Sequence, residues 1–117
     1  MSQDVTIYHN PRCSKSRETL SLLQDNGVEP QVVLYLETPP DAQTLKSLLQ
    51  MLGMSSPREL MRTKDDLYKA LNLADETRNE ALIAAMVDNP KLIERPIVIK
   101  NGQARIGRPP EAVLEIL

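Results

Sequence analysis

The sequence predicts one α/β domain over residues 1–117: a four-stranded mixed sheet with helices inserted between a βαβ half and a ββα half. Three observations carry that prediction. Val5 and Ile7 alternate with Thr6 and Tyr8, the period of a strand, and a helical run and a second apolar run follow. From about 41 to 89 the chain shows only helical spacing and helix punctuation. Then Ile97-Val98-Ile99 and Ala104-Arg105-Ile106 flank Asn101-Gly102, the strongest short hairpin signal.

Taken in order, the first strand ends before Pro11, which cannot sit in a central strand. The helix after it carries Leu20, Leu22 and Leu23 and stops at Asn26-Gly27. Gln31 to Leu36 is nearly continuous and apolar, so the expectation is a strand covered on both faces and parallel to the first. Thr38-Pro39-Pro40-Asp41 breaks the pattern and offers a helix start. Ala42, Leu45, Leu48, Leu49 and Leu52 then recur at helical spacing up to Gly53. Ser56-Pro57-Arg58-Glu59 reads as a capping box that launches a short helix with Leu60, Met61 and Arg62. A turn of helix is expected at Asp65-Asp66-Leu67-Tyr68. A longer helix is expected from about Glu76 to Asp88, with Ala81, Leu82, Ala85 and Met86 inward, stopped by Asn89-Pro90. Past the hairpin, Gly107-Arg108-Pro109-Pro110-Glu111 turns the chain into a final helix with Ala112, Val113 and Ile116 on one face.

The totals narrow the function classes. With 117 residues the chain can build a real core, and a net charge of -2 gives no basic field for nucleic acid or membrane. Aromatic residues are 3% and all tyrosine, which argues against a base-stacking surface. No apolar run approaches the roughly 20 residues of a membrane span. Met1-Ser2-Gln3-Asp4 lacks the features of a signal peptide. With one cysteine there is no internal disulfide, and the expected compartment is the reducing cytoplasm.

Chemistry concentrates in Tyr8-His9-Asn10-Pro11-Arg12-Cys13-Ser14-Lys15-Ser16-Arg17, which holds the only cysteine and the only histidine. Cys13 falls at or just before the first helical turn, where free N–H groups and the positive end of the dipole favour a thiolate. A free cysteine is often a small buried hydrophobe, but Arg12, Ser14, Lys15 and Ser16 make a poor core. Cys13 is therefore the candidate nucleophile, with Arg12, Lys15 and Arg17 as nearby positive charge. His9 ends the strand that feeds the loop. It either holds a hydrogen bond that fixes the loop or acts as a nearby cation. Arg95, before Pro96 at the head of the third strand, and Arg108, at the end of the fourth, can lie at the Cys13 end of such a sheet. Arg62 is the third arginine of interest. Guanidinium forks match tetrahedral oxyanions and carboxylates. The pattern points to a phosphate-like or arsenate-like anion, or to a carboxylate-bearing thiol such as glutathione.

Zinc is excluded by one Cys and one His. A phosphatase loop is excluded because Thr19, not arginine, stands sixth after Cys13. A Cys-x-x-Cys dithiol is excluded by Ser16. The second thiol of any redox cycle must come from another molecule.

These residues resemble the glutaredoxin-dependent arsenate reductases, a family with a thioredoxin-like fold. Tyr8-His9-Asn10-Pro11-x-Cys13 with Ser16-Arg17 is similar to that family's active-site loop. Arg62 in Leu60-Met61-Arg62, Arg95 in Glu94-Arg95-Pro96-Ile97-Val98 and Arg108 in Gly107-Arg108-Pro109 are similar to its three anion-binding arginines. The ending, Glu111 to Leu117, is also family-like. The resemblance implies a cis Arg95-Pro96 peptide. It also implies Cys13 as catalytic thiol supported by His9, Ser16 and Arg17, and a small oxyanion held by Arg62, Arg95 and Arg108. It implies no bound cofactor and no metal, glutathione as co-substrate, and glutaredoxin as partner. Ser14-Lys15 stands where reductases of this family usually carry Gly-Thr, adding charge and bulk at the mouth of the anion site. Two alternatives stay open: a glutathione-linked thiol oxidoreductase on another substrate, and a non-enzymatic regulator that binds a protein partner.

Overall fold

The computed structural model describes residues 5–117; Met1 to Asp4, on which the signal-peptide argument rests, lie outside the described residues. Two compact units are resolved, one of Met1–Thr38 with Arg95–Leu117, the other of Pro39–Glu94.

The first unit is built on the sheet. Strand β1 is Val5–Tyr8, helix α1 is Ser14–Asp25, strand β2 is Gln31–Val33, and β3 (Ile97–Lys100) and β4 (Gln103–Ile106) form the closing hairpin. The order across the sheet is β2-β1-β3-β4. β1 runs parallel to β2 and antiparallel to β3, with Ile7 opposite Val32 on one side and Val98 on the other. This is the four-stranded mixed sheet and thioredoxin-like arrangement expected from the sequence. The hairpin turn places Asn101 at φ 52° and Gly102 at φ 77°, the double positive φ that a type I′ turn requires.

Val5 and Ile7 point from β1 into a core completed by Leu23, Val28, Val98, Val113 and Ile116, with Leu20 and Leu22 packed against it. α1 turns Ser16, Thr19 and Leu23 inward, positions three and four apart on one stripe. Each fully buried Leu or Ile in this cluster contributes about 1.5–3 kcal/mol of transfer free energy.

Two expectations in this unit are corrected. The second strand is three residues long and not covered on both faces. It is an edge strand, Val32 and Leu36 are exposed, and the chain turns at once through hydrogen bonds from Glu37 and Thr38 N–H to Leu34 O. The unbroken apolar run misled because pairing on one side alone leaves part of it in solvent. The final helix is a 3-10 helix, Pro110–Ile116, held by bonds such as Ala112 N–H to Pro109 O at 3.0 Å. Pro109 and Pro110 pre-set its first turn.

The second unit is helical. α2 (Ala42–Leu52) starts where Asp41 accepts from Thr44 N–H at 2.8 Å and ends at Gly53, φ 72°. Its stripe of Leu45, Leu48 and Leu49 is buried, and it packs on α4 (Asn79–Asp88). The Ser56/Glu59 capping box forms as read, but it opens a 3-10 helix, Pro57–Leu60. Met61 is already extended, bridging to Ile93, so Met61 and Arg62 lie beyond that helix. α3 (Asp66–Ala70) is short and capped by Asp65. α4 begins at Asn79 rather than near Glu76, and Leu82, Ile83 and Met86 are its buried residues while Ala81 and Ala85 are half-buried. Arg58 knits this unit: its guanidinium donates to Tyr68 Oη, Leu73 O and Glu76 O.

Candidate active site

Between β1 and α1 the chain must change direction in five residues, and polar groups hold it there. His9 N–H continues the β1–β2 ladder by donating to Val33 O at 2.9 Å. Asn10 Oδ1 accepts from Arg12 N–H at 3.0 Å, and Asn10 O accepts from Cys13 N–H at 3.0 Å, which closes a tight turn. Ser16, reaching back from α1, accepts from Asn10 N–H at 3.0 Å and lies 2.6 Å from His9 Nδ1. Arg17 Nη1 donates to Pro11 O at 2.8 Å. His9, Asn10 and Ser16 are all buried.

The turn delivers Cys13 as the N-cap of α1, with extended φ/ψ of -96° and 123°. An N-cap acceptor faces the N–H groups two and three residues on. These belong to Lys15 and Ser16, and both favour the thiolate of Cys13. Burial alone pushes the thiol up. Ser16 N–H, the hydrogen bond and charge of Arg95, and Lys15 N–H outweigh it, so Cys13 ionises below its ordinary value. The side chain is neither buried nor fully exposed, which leaves the sulfur open to attack a ligand.

Two arginines arrive from the far end of the unit. Arg108 Nη2 lies 3.6 Å from Cys13 Sγ, at the outer limit for a bond to sulfur and from an exposed side chain, so Arg95 is the stronger influence on the thiolate. Arg108 Nε donates to Arg95 O at 2.9 Å, tying the two segments together. The Arg95-Pro96 and Arg108-Pro109 peptides are both cis. Arg95 Nε is buried and has no hydrogen-bond partner. That unmet donor beside a thiolate and a ring of N–H groups fits an incoming oxyanion.

His9 is not a cation at neutral pH: burial, then the positive charge of Arg17, hold it below its ordinary value of 6.5. Of the two readings open from the sequence, the geometry supports the hydrogen bond. Lys15 Nζ lies 3.9 Å from Glu18 Oε1 in an exposed pair, and Arg17 is engaged by the loop. The cation that depresses the thiol is Arg95. Arg62 belongs to the second unit, where it pairs with Asp65 at 3.3 Å and Glu94 at 3.7 Å, and its N–H donates to Leu92 O at 2.7 Å. The free N–H groups expected at this helix start are those of Lys15 and Ser16, while the buried Thr19 was not singled out from the sequence. A polar residue on the inward stripe of α1 was the signal that would have found Thr19. Among the described residues no group of His, Cys, Asp and Glu could hold a metal ion, and no helix is long and apolar enough to cross a membrane.

The chain as a whole is similar to known proteins. The pattern of the ArsC family matches residues 8–116. "Uncharacterized protein YfgD" of Escherichia coli (strain K12) is 74% identical over 118 residues, spanning 100% of this chain and 99% of that protein. "Arsenate reductase" of Haemophilus influenzae is 53% identical over 114 residues, 97% of this chain and 98% of that protein. Among solved structures, "Arsenate reductase from Vibrio cholerae" superposes with a TM-score of 0.98 at 60% identity over 100% of both chains.

Proposed function

The chain belongs to the ArsC family, and from that premise we propose that it is a thiol-dependent oxidoreductase that reduces arsenate to arsenite. The observation that carries the reading is the meeting of Cys13 with Arg95 and Arg108 at the N-terminus of α1. A thiolate there has both the nucleophile and the oxyanion donors that attack on a tetrahedral anion needs.

In this mechanism the Cys13 sulfur attacks arsenic, an S–As bond forms, and one arsenate oxygen takes up protons and leaves as water. Arg95 and Arg108 balance the charge on the remaining oxygens, and the Lys15 and Ser16 N–H groups hold the sulfur side. His9 and Ser16 keep the loop in register, and Arg17 anchors Pro11. Family likeness of Leu60-Met61-Arg62 adds Arg62 to the anion-binding set. Reduction of As(V) to As(III) takes two electrons, and a chain with one cysteine must draw its partner thiols from outside. Glutathione attacks the arsenylated Cys13 and glutaredoxin completes the exchange, so that two thiols become a disulfide as arsenite leaves. The reducing cytoplasm is where such thiol donors persist.

The test is arsenite formation with glutathione, with and without glutaredoxin. Native protein is expected to turn over and Cys13→Ser to sit at the background rate; equal rates for the two overturn the proposal. Ser14-Lys15 at the mouth of the site favours one other reading, a thiol oxidoreductase on a different substrate. A stable mixed disulfide of Cys13 with oxidised glutathione, without arsenate turnover, selects it.

A further inference from the structure

One buried glycine lies between the segment that carries Cys13 and the segments that carry Arg95 and Arg108. Gly107 is buried at the end of β4. Its φ lies outside the left-handed region, so no turn demands a glycine there. Space demands it instead. A Cβ at 107 would fall inside the contact distance of Thr19 Oγ1, 3.1 Å from Thr19 Cγ2 and 2.9 Å from Pro96 Cγ.

Neither neighbour can swing aside. Thr19 is β-branched and 0% exposed, and its Oγ1 donates to Lys15 O at 2.8 Å. Pro96 is buried and ring-closed, and its carbonyl accepts Gly107 N–H at 2.9 Å. Thr19 belongs to α1, the helix that carries Cys13 at its N-cap and the N–H groups of Lys15 and Ser16 on its first turn. Pro96 and Gly107 are the chain neighbours of Arg95 and Arg108, which are themselves joined by the bond from Arg108 Nε to Arg95 O. Gly107 thus stands where the frame that holds the sulfur and the frame that holds both guanidinium groups leave no room for a side chain.

We propose that Gly107 is a positioning residue, whose missing side chain lets the strand ends close on Thr19 of α1 and so sets the reach of Arg95 and Arg108 to Cys13. The proposal rests on Cys13 as the reacting thiol, and deepens that reading by naming what aligns it.

The test is the pH dependence of Cys13 alkylation by iodoacetamide, read by mass spectrometry, in Gly107→Ala and in Gly107→Ala combined with Thr19→Ala. Alkylation needs no arsenate, so failure of the arsenate assay and failure of this inference are separate results. Gly107→Ala wedges the two frames apart, and the midpoint of its profile is expected to rise by about one pH unit, the effect of withdrawing a nearby opposite charge. Removing the Thr19 γ atoms relieves the two contacts with Thr19 and leaves the one with Pro96 Cγ, so the double variant is expected to return part of the way to the native midpoint. Combining Gly107→Ala with Thr19→Ser, which keeps Oγ, is expected not to restore it. A native midpoint in Gly107→Ala overturns the inference, as does a double variant displaced as far as the single one. Should Gly107→Ala not fold, the double variant with Thr19→Ala must fold, since it removes the two closest side-chain obstacles on α1, and its failure to do so counts against the inference equally.

Discussion

Replacing Arg95 with methionine keeps most of the side-chain volume and removes the cation that most favours the Cys13 thiolate. An opposite charge at such range lowers a pKa by about 1–3 units. Cys13 is half-exposed, so water and salt screen part of this, and the low end applies: a rise of about one unit. At a pH below the thiol's midpoint, one unit is about a tenfold fall in thiolate and in the rate of alkylation. The assay is the rate of iodoacetamide addition from about pH 4 to about pH 10, wide enough for a perturbed thiol, repeated in high salt. High salt is expected to narrow the gap between native and variant, because the charge of Arg95 is the influence that salt screens. Arg108→Met is expected to shift the profile less, since Nη2 stands 3.6 Å from Sγ at an exposed position. If Arg95→Met folds normally and alkylates with the native profile, the backbone donors and Arg108 suffice to ionise the thiol. The role given to Arg95 as its counter-charge then falls.

His9 gives a pH signature. Its folded-state pKa is depressed below 6.5, so just below that pH the unfolded chain binds more protons than the folded one. The associated stability is complete above about 6.5 and is lost as pH falls through the folded value. Urea unfolding between pH 8 and 5 (about the window in which histidine titrates) should show native protein losing stability relative to His9→Gln at the acid end; parallel curves would contradict this. Arg58→Met strands the Leu73 and Glu76 carbonyls and Tyr68 Oη. At about 1–3 kcal/mol for each unsatisfied buried group, discounted for water that reaches some of them, a loss of about 2–4 kcal/mol is expected in denaturant unfolding. A loss under about 1 kcal/mol would show that water replaces the arginine.

Local signals were legible where one stretch of chain decides the outcome. Asn101-Gly102 fixed its own turn through two positive φ angles, Asp41 its own helix start, and Ser56-Glu59 its own box. Cys13 at the head of α1 was readable because Pro11 and the apolar run behind it bracket the handover. The Arg95 and Arg108 placements followed from strand order, which a hairpin and a βαβ unit nearly determine. Strand β2 was misjudged because an apolar run reports composition, while burial depends on whether a neighbour lies beyond the edge. The expected α4 start failed for a related reason: Glu76 instead accepts from Arg78 N–H and lends its carbonyl to Arg58, which delays the helix to Asn79.

Gly107 shows where sequence reading reaches its limit. As a letter between Ile106 and Arg108 it reads as a turn former, and its backbone does not need that freedom. What it needs is the absence of a Cβ opposite Thr19, and Thr19 in turn reads as a helical polar residue that prefers the surface. Each looks ordinary in its own window, and only their contact explains both. The same holds for the site as a whole. Helix N-termini, cysteines and arginines are common, and a cap N–H lowers a thiol only when a sulfur occupies the N-cap. What the site can do therefore resides in distances between segments that the chain joins late, Cys13 with Arg95 and Arg108. A substitution that leaves every site residue in place but adds one methyl group at 107 is expected to weaken the site by moving those distances alone.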